Sequence, residues 1–321
     1  MTGCATLVAQ FCSMITDFTA ADIPDQTGKT FFITGANTGL GFESAKAFAG
    51  KGGRVLVGAR DPEKGEVAVN RIRKAHPNAD VQFVRIDLAD LESIREAAGV
   101  VAREPRLDVL LNNAGVMMNP KTLTKDGFES QFGINHLGHF ALTAHLLPTL
   151  LATPESRIVN VSSNAHKMGD GDLYWDDINA EQAYSKQGRY SASKLANLLF
   201  TYELDRRLRA KGADTVAVAA HPGMADTELG RHYPGWARAL LAVVRPVLVL
   251  WLNTAESGAW PQELAATHPN VQGGQYFGPS RRGEVSGKAK KVDSSSESKD
   301  PERARRLWDL SIEMTGVDPG L

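Results

Sequence analysis

Cysteine is almost missing from this chain: Cys4 and Cys12 are its only two, both near the N-terminus and without a C-x-x-C spacing. A disulfide framework and a cysteine-based zinc site are therefore excluded, and a reducing, cytoplasmic setting is expected. Charge of one sign is also lacking, since 36 Lys and Arg face 37 Asp and Glu, and a nucleic-acid footprint is not expected. No apolar run reaches the ~20 residues that span a bilayer. The strongest, Trp236 to Leu252, carries Arg238, Arg245 and Pro246 and reads better as a substrate-covering or interfacial segment. Residues 5–15 have the length of a secretory core, but no basic residue precedes them and no A-x-A-like site follows, so residues 1–27 are taken as an N-terminal extension. No HExxH accompanies His136, His139 and His145, and no metal is expected. No internal repeat is evident.

What is present is an alternation. The runs KTFFIT, RVLVGA, VQFVRI, LDVLL, SRIVNVS and TVAVAA read as buried strands, and longer segments with helical spacing separate them. Strand-helix alternation of this kind predicts an α/β fold, one doubly wound parallel sheet of the Rossmann type with helices on both faces. A single domain is expected over residues 28–321, with an insertion near 164–189, a lid near 228–252 and a polar, solvated loop near 280–302.

The first predicted strand runs into TGANTGLG, Thr34 to Gly41, and a helix follows directly. Glycines at Gly35, Gly39 and Gly41, with Asn37, Thr38 and Leu40 between and beside them, suit a sharp turn whose free amides meet a pyrophosphate at a helix N-terminus. The second strand ends in Ala59 and Arg60, where an NAD-selective site would place a carboxylate. A guanidinium there favours the 2′-phosphate of NADP(H) over NAD(H), although Arg60 also fits as a solvated strand end with Asp61 beside it. Tyr190 and Lys194, one helical turn apart, share a face. By themselves they are either a surface pair or a proton-handling centre.

The combination resembles the short-chain dehydrogenase/reductase family. TGANTGLG is similar to its cofactor loop, Asp87-Leu88 to its adenine contact, the NNAG run ending in Asn113, Ala114 and Gly115 to the motif after its fourth strand, and YSASK to its YxxxK. HPGMADT, with Pro222, Gly223 and Thr227, is similar to its loop beside the nicotinamide. The resemblance implies a catalytic tetrad of Asn135, Ser163, Tyr190 and Lys194, with Tyr190 and Lys194 also touching the cofactor. Ser163 is preferred to Ser162 because the family places its serine two residues after the last core position of the strand, here Val161. An unperturbed phenol titrates near ~10, so Tyr190 needs a cation, and bringing it near neutrality takes about 4 kcal/mol of differential stabilisation of the phenolate. Lys194 is the group the resemblance supplies. It also implies that Asn135 holds a water in a relay to that lysine.

The stretch between Ser163 and Tyr190 exceeds the family's usual spacing. In this the chain resembles the branch holding retinol dehydrogenases, the WW-domain oxidoreductase and light-dependent protochlorophyllide reductase. That branch implies a bulky lipophilic carbonyl or alcohol as substrate, walled by the Trp236–Leu252 segment together with Tyr174 and Trp175. The expected activity is NADP(H)-dependent carbonyl reduction or alcohol oxidation, by a monomer or homo-oligomer with weak peripheral membrane contact left open. The competing reading is a non-catalytic NADPH-binding sensor or scaffold, distinguished by cofactor binding without turnover of any carbonyl. An extended-type epimerase would carry TGxxGxxG, and a methyltransferase has no use for YxxxK.

Overall fold

Alternate residues of each central strand face opposite ways, and here both directions are apolar. Phe31, Ile33, Val55, Val57, Val109, Leu111 and Val159 join one core cluster, while their neighbours Phe32, Leu56, Leu110 and Ile158 join another. A sheet written this way must be covered on both faces. The computed structural model describes residues 15–224 and 253–321 and shows that arrangement.

Eight strands form one sheet: β1 (Thr30–Thr34), β2 (Arg54–Ala59), β3 (Val81–Arg85), β4 (Val109–Asn112), β5 (Arg157–Val161), β6 (Val216–Ala220), β7 (Tyr276–Arg281) and β8 (Ser286–Val292), in the order β3-β2-β1-β4-β5-β6-β7-β8. All neighbouring pairs are parallel except β7 with β8. The order reverses between β1 and β4, and a crevice at the carboxyl ends of such strands is where this architecture takes ligands.

Helices α1 (Gly39–Gly50), α2 (Pro62–Ala75) and α3 (Leu91–Val101) follow the first three strands. A short turn, α4 (Ser130–Phe132), passes through a π-helical turn at Gly133–Leu137 into α5 (Gly138–Leu151). The long α6 (Lys186–Ala210), then α7 (Ala255–Thr267) and α8 (Pro301–Thr315) complete the described helices. Local chemistry sets several starts: Asp61 and Asp90 cap α2 and α3 by accepting backbone N–H bonds, and Asp300 caps α8 ahead of Pro301.

Two expectations change. The polar stretch near 280–302 is not a solvated loop, because Ser286–Val292 forms the antiparallel edge strand β8. An edge strand needs few apolar residues, and lysines on it are a common guard against further pairing, so Lys288, Lys290 and Lys291 concealed it. Residues ahead of β1 also join the sheet region: Phe18 exchanges two backbone hydrogen bonds with Ala289, and Phe18 and Ile23 are buried in the core. The expected lid near 228–252 lies outside the described residues. Among those described, no helix is long and apolar enough to cross a membrane.

Candidate active site

A cleft of about 770 Å³ opens over the carboxyl ends of β1, β2, β3 and β4. Its lining includes Gly35, Asn37, Thr38, Arg60, Asp87, Leu88, Ala114 and Gly115, drawn from the four loops that follow β1, β2, β3 and β4. It meets a smaller inner pocket of about 70 Å³ at Gly115 and Val116, where Leu40, Asn113, Ser163, Tyr190, Lys194, Pro222 and Gly223 come together. The two cavities form one trough from α2 to α6. Its floor tolerates no side chain at Gly41: a Cβ there would stand 2.5 Å from Asn113 Nδ2 and 2.6 Å from the Gly35 carbonyl oxygen. A Cβ at Gly115 would press on Asn135 Oδ1 at 3.1 Å. Backbone thus replaces side chains along a trough large enough for a dinucleotide, so the residues present fit that group.

At the outer end, Arg60 is exposed and has no ion-pair partner among the described residues. Asp61, whose proximity weighed against an anion site, is otherwise engaged: its carboxylate caps Lys64 N at 3.2 Å and pairs with Lys64 Nζ at 3.0 Å. That contact holds its carboxyl below the ordinary carboxylate range.

At the inner end, α6 presents Tyr190 and Lys194 on one face, with Lys194 Nζ 5.8 Å from the Tyr190 ring centroid and donating to the Val161 carbonyl at 3.1 Å. The two serines after β5 part company. Ser162 is buried and donates to the Lys194 carbonyl at 2.8 Å, whereas Ser163 is half-buried and accepts from Ala165 N at 3.2 Å. Asn135 sits in the π-turn with its side chain bonded at both ends: Oδ1 accepts from Val116 N at 2.8 Å, and Nδ2 donates to Val116 O and to Ser193 Oγ, both at 2.9 Å. A π-turn inside a helix often marks a functional position. Gly39 opens α1, and Thr227 lies outside the described residues.

Several residues that hold this site escaped the sequence reading. The Pro222–Met224 loop is clasped by the turn of the β7–β8 hairpin, with Met224 N donating to Val285 O at 3.0 Å. Asn253 Nδ2 donates to Pro222 O at 2.9 Å, and Gly287 N donates to Asn253 Oδ1 at 3.2 Å. His221 Nδ1 accepts from Gly223 N at 3.2 Å, and its Nε2 stands 3.2 Å from Glu284 Oε2. The only sequence signal was a histidine directly before Pro-Gly. Tyr174 and Trp175 do not wall the inner pocket. Their rings stack under Arg189 and Arg306 and pack with Phe132 and Leu307 on the α8 side, because aromatic faces and guanidinium planes attract there. Tyr184 instead braces the loop carrying Met117, donating to Asn119 O at 2.8 Å and accepting from Gln131 Nε2 at 3.0 Å.

The three histidines near the π-turn diverge. His136 Nε2 is 2.8 Å from Ser311 Oγ on α8, His139 points at β1, and His145 lies farther along α5. Among the described residues no three His, Cys, Asp or Glu side chains are grouped as metal ligands would be. Burial pushes His136 down to about 3, and His139 and His166 down to about 4. Between these values and the ordinary 6.5, the unfolded chain binds protons that the folded chain refuses. Stability is therefore full above 6.5 and lost as pH falls toward 4. The unfolding temperature is expected to drop from about pH 6.5 downward, well before carboxylates protonate. Thermal unfolding followed across this window checks it, and a flat profile down to about pH 5 would contradict three buried neutral imidazoles.

A family model described as short chain dehydrogenase matches residues 29–173. Retinol dehydrogenase 14 of Mus musculus is 44% identical over 307 residues, covering 90% of this chain and 86% of the relative. Retinol dehydrogenase 12 of Homo sapiens is 41% identical over 293 residues, covering 90% and 87%. The crystal structure of an uncharacterised protein from Mycobacterium paratuberculosis aligns with a TM-score of 0.78 at 40% identity, covering 95% of this chain and all of that one.

Proposed function

Because this chain belongs to the short-chain dehydrogenase family, in the branch similar to retinol dehydrogenases, and is an oxidoreductase of alcohol and carbonyl groups, we propose that it works with NADP(H) on bulky lipophilic substrates. The carrying observation is the inner pocket, where Tyr190, Lys194 and Ser163 converge at the end of a dinucleotide-sized trough. When bound, the nicotinamide supplies or takes the hydride. The chain's own residues do the rest. The amides of the Gly35–Gly41 loop and the N-terminus of α1 hold the pyrophosphate. Arg60 grips the 2′-phosphate, and Asp87 and Leu88 flank the adenine. Pro222 and Gly223, held by the hairpin, keep the nicotinamide end in place.

Tyr190 gives its phenolic proton to the carbonyl oxygen in reduction and recovers it in the reverse direction. The ammonium of Lys194 favours the phenolate that this exchange requires. Ser163 orients the substrate oxygen, and Asn135 shapes the turn beside Lys194. Leu40, Val116 and Met117 give the pocket an apolar side, and the retinol dehydrogenases are named for a long apolar alcohol.

Each methylene moved from water into such a site is worth about 0.8 kcal/mol, or roughly fourfold in binding. With NADPH as cofactor, kcat/KM for unbranched aldehydes should therefore climb by roughly fourfold per methylene until the site is filled, and retinal should be among the better substrates. Steady-state assays over a chain-length series test this. No dependence on length would remove the lipophilic reading, and equal efficiency with NADH would remove the cofactor preference.

A further inference from the structure

His139 is buried to 2% exposure on the first turn of α5, and every hydrogen-bonding position around its ring is determined by its neighbours. Its Nδ1 lies 3.0 Å from the backbone carbonyl oxygen of Asn135. A carbonyl only accepts, so Nδ1 carries the proton. Burial keeps the ring neutral, and the nearby charge of Lys194 works in the same direction. In a neutral imidazole the other nitrogen is then an acceptor, and Nε2 is 2.9 Å from Thr34 Oγ1.

The Thr34 hydroxyl closes the account. Its oxygen accepts from the backbone amides of both Asn113 and Ala114, each at 3.0 Å. With two lone pairs taken, its one hydrogen remains for donation. The competing acceptor, the Leu111 carbonyl, is farther away at 3.4 Å. Thr34 ends β1 at the glycine loop and lines the outer cleft, while Asn113 lines the inner pocket. At the other end, Asn135 is braced through Nδ2 on Ser193 Oγ, which donates to the Tyr190 carbonyl at 2.8 Å. Hydrogen bonds, joined through the covalent frame of Asn135, thus link the β4 loop through Thr34 and His139 to the π-turn and on to the backbone of Tyr190.

We propose that His139 is a positioning residue: as the Nδ1–H tautomer it ties the Thr34 hydroxyl, and with it the Asn113 and Ala114 amides, to the Asn135 carbonyl, holding cofactor trough and catalytic turn in one geometry. The proposal rests on the reading above that Asn135 and Lys194 belong to the catalytic set. Neutrality is part of the device. A protonated ring would lose its acceptor toward Thr34 and place a second cation near Lys194.

Two measurements test it. Ring-nitrogen NMR of the native protein is expected to show His139 protonated at Nδ1 and bare at Nε2, without titration from about pH 5.5 to 8. An Nε2–H tautomer, or titration in that range, overturns the proposal. His139→Phe keeps the ring volume and removes both hydrogen bonds. It is expected to lower kcat per folded molecule by ~10- to 100-fold, as small misplacements of reacting groups do, and to weaken NADPH binding. His139→Gln, which has both an acceptor and a donor, should recover part of each loss. A His139→Phe protein that is less heat-stable but keeps wild-type kcat and NADPH affinity would show a structural role only and overturn the proposal. If that variant does not fold, the tautomer measurement decides. Should Tyr190→Phe retain turnover, the catalytic assignment fails while the ring tautomer still stands, so the two failures are distinguishable.

Discussion

Replacing Tyr190 by Phe is expected to lower turnover by ~100-fold or more while NADPH binding stays near that of the wild type. The substitution removes one oxygen and leaves a ring of the same shape. Tyr190 is 5% exposed on α6, and its backbone carbonyl accepts from Ser193 Oγ at 2.8 Å, a bond the change does not touch. The Lys194 ammonium keeps its bond to Val161 O at 3.1 Å. Scaffold, cofactor trough and lysine therefore survive, and only the proton donor goes. A general acid of this kind contributes ~10²- to 10⁴-fold, which sets the scale. Single-turnover reduction with cofactor affinity measured in parallel separates the two effects. Near-normal turnover would show that another group handles the proton, and a parallel collapse of NADPH binding would show that the phenol served the cofactor instead.

Arg60→Ala should weaken NADPH by about 10-fold to over 100-fold and leave NADH almost unchanged, because charge-assisted hydrogen bonds contribute ~1.5–3 kcal/mol and only NADPH carries the 2′-phosphate. Strand β2 delivers Arg60 to the rim of the outer cleft immediately after Ala59, so no carboxylate occupies the place that would repel the phosphate. Lys64 lines the same cleft but spends its ammonium on Asp61, which leaves the guanidinium as the better-placed cation. The site is exposed, and salt with a Debye length of ~10 Å at 0.1 M will shrink the effect. Dissociation constants for both cofactors at low and moderate ionic strength provide the check. Equal weakening of the two would assign discrimination to another residue.

Much of this architecture was readable in one dimension because it obeys short-range rules. Alternating apolar directions in KTFFIT and RVLVGA require a sheet covered on both faces, and Gly35, Gly39 and Gly41 between strand and helix require a turn that backbone alone fills. β8 was not readable, since an edge strand with Lys288, Lys290 and Lys291 carries the composition of a loop until a partner strand lies beside it. Tyr174 and Trp175 misled for a related reason: an aromatic pair in a polar insertion has to be covered, but sequence does not say by what. Arg189 and Arg306 cover them, away from the pocket.

The sequence by itself determined the order of the first six strands and of the helices between them and the glycine turn, and it nominated the side chains proposed for hydride-linked proton transfer, because each of these depends on residue type and spacing within a few positions. Only the tertiary structure decided which of two adjacent serines turns inward, why Asp61 does not oppose Arg60, and that the hairpin near 280–292 grips the Pro222–Gly223 loop. It also decided that His139 belongs with Thr34, 105 positions away in the chain. The physical reason is the same each time. Hydrogen-bond direction, burial and the pairing of charges depend on what stands opposite a group in space, and the sheet brings together residues whose separation along the chain gives no hint of it.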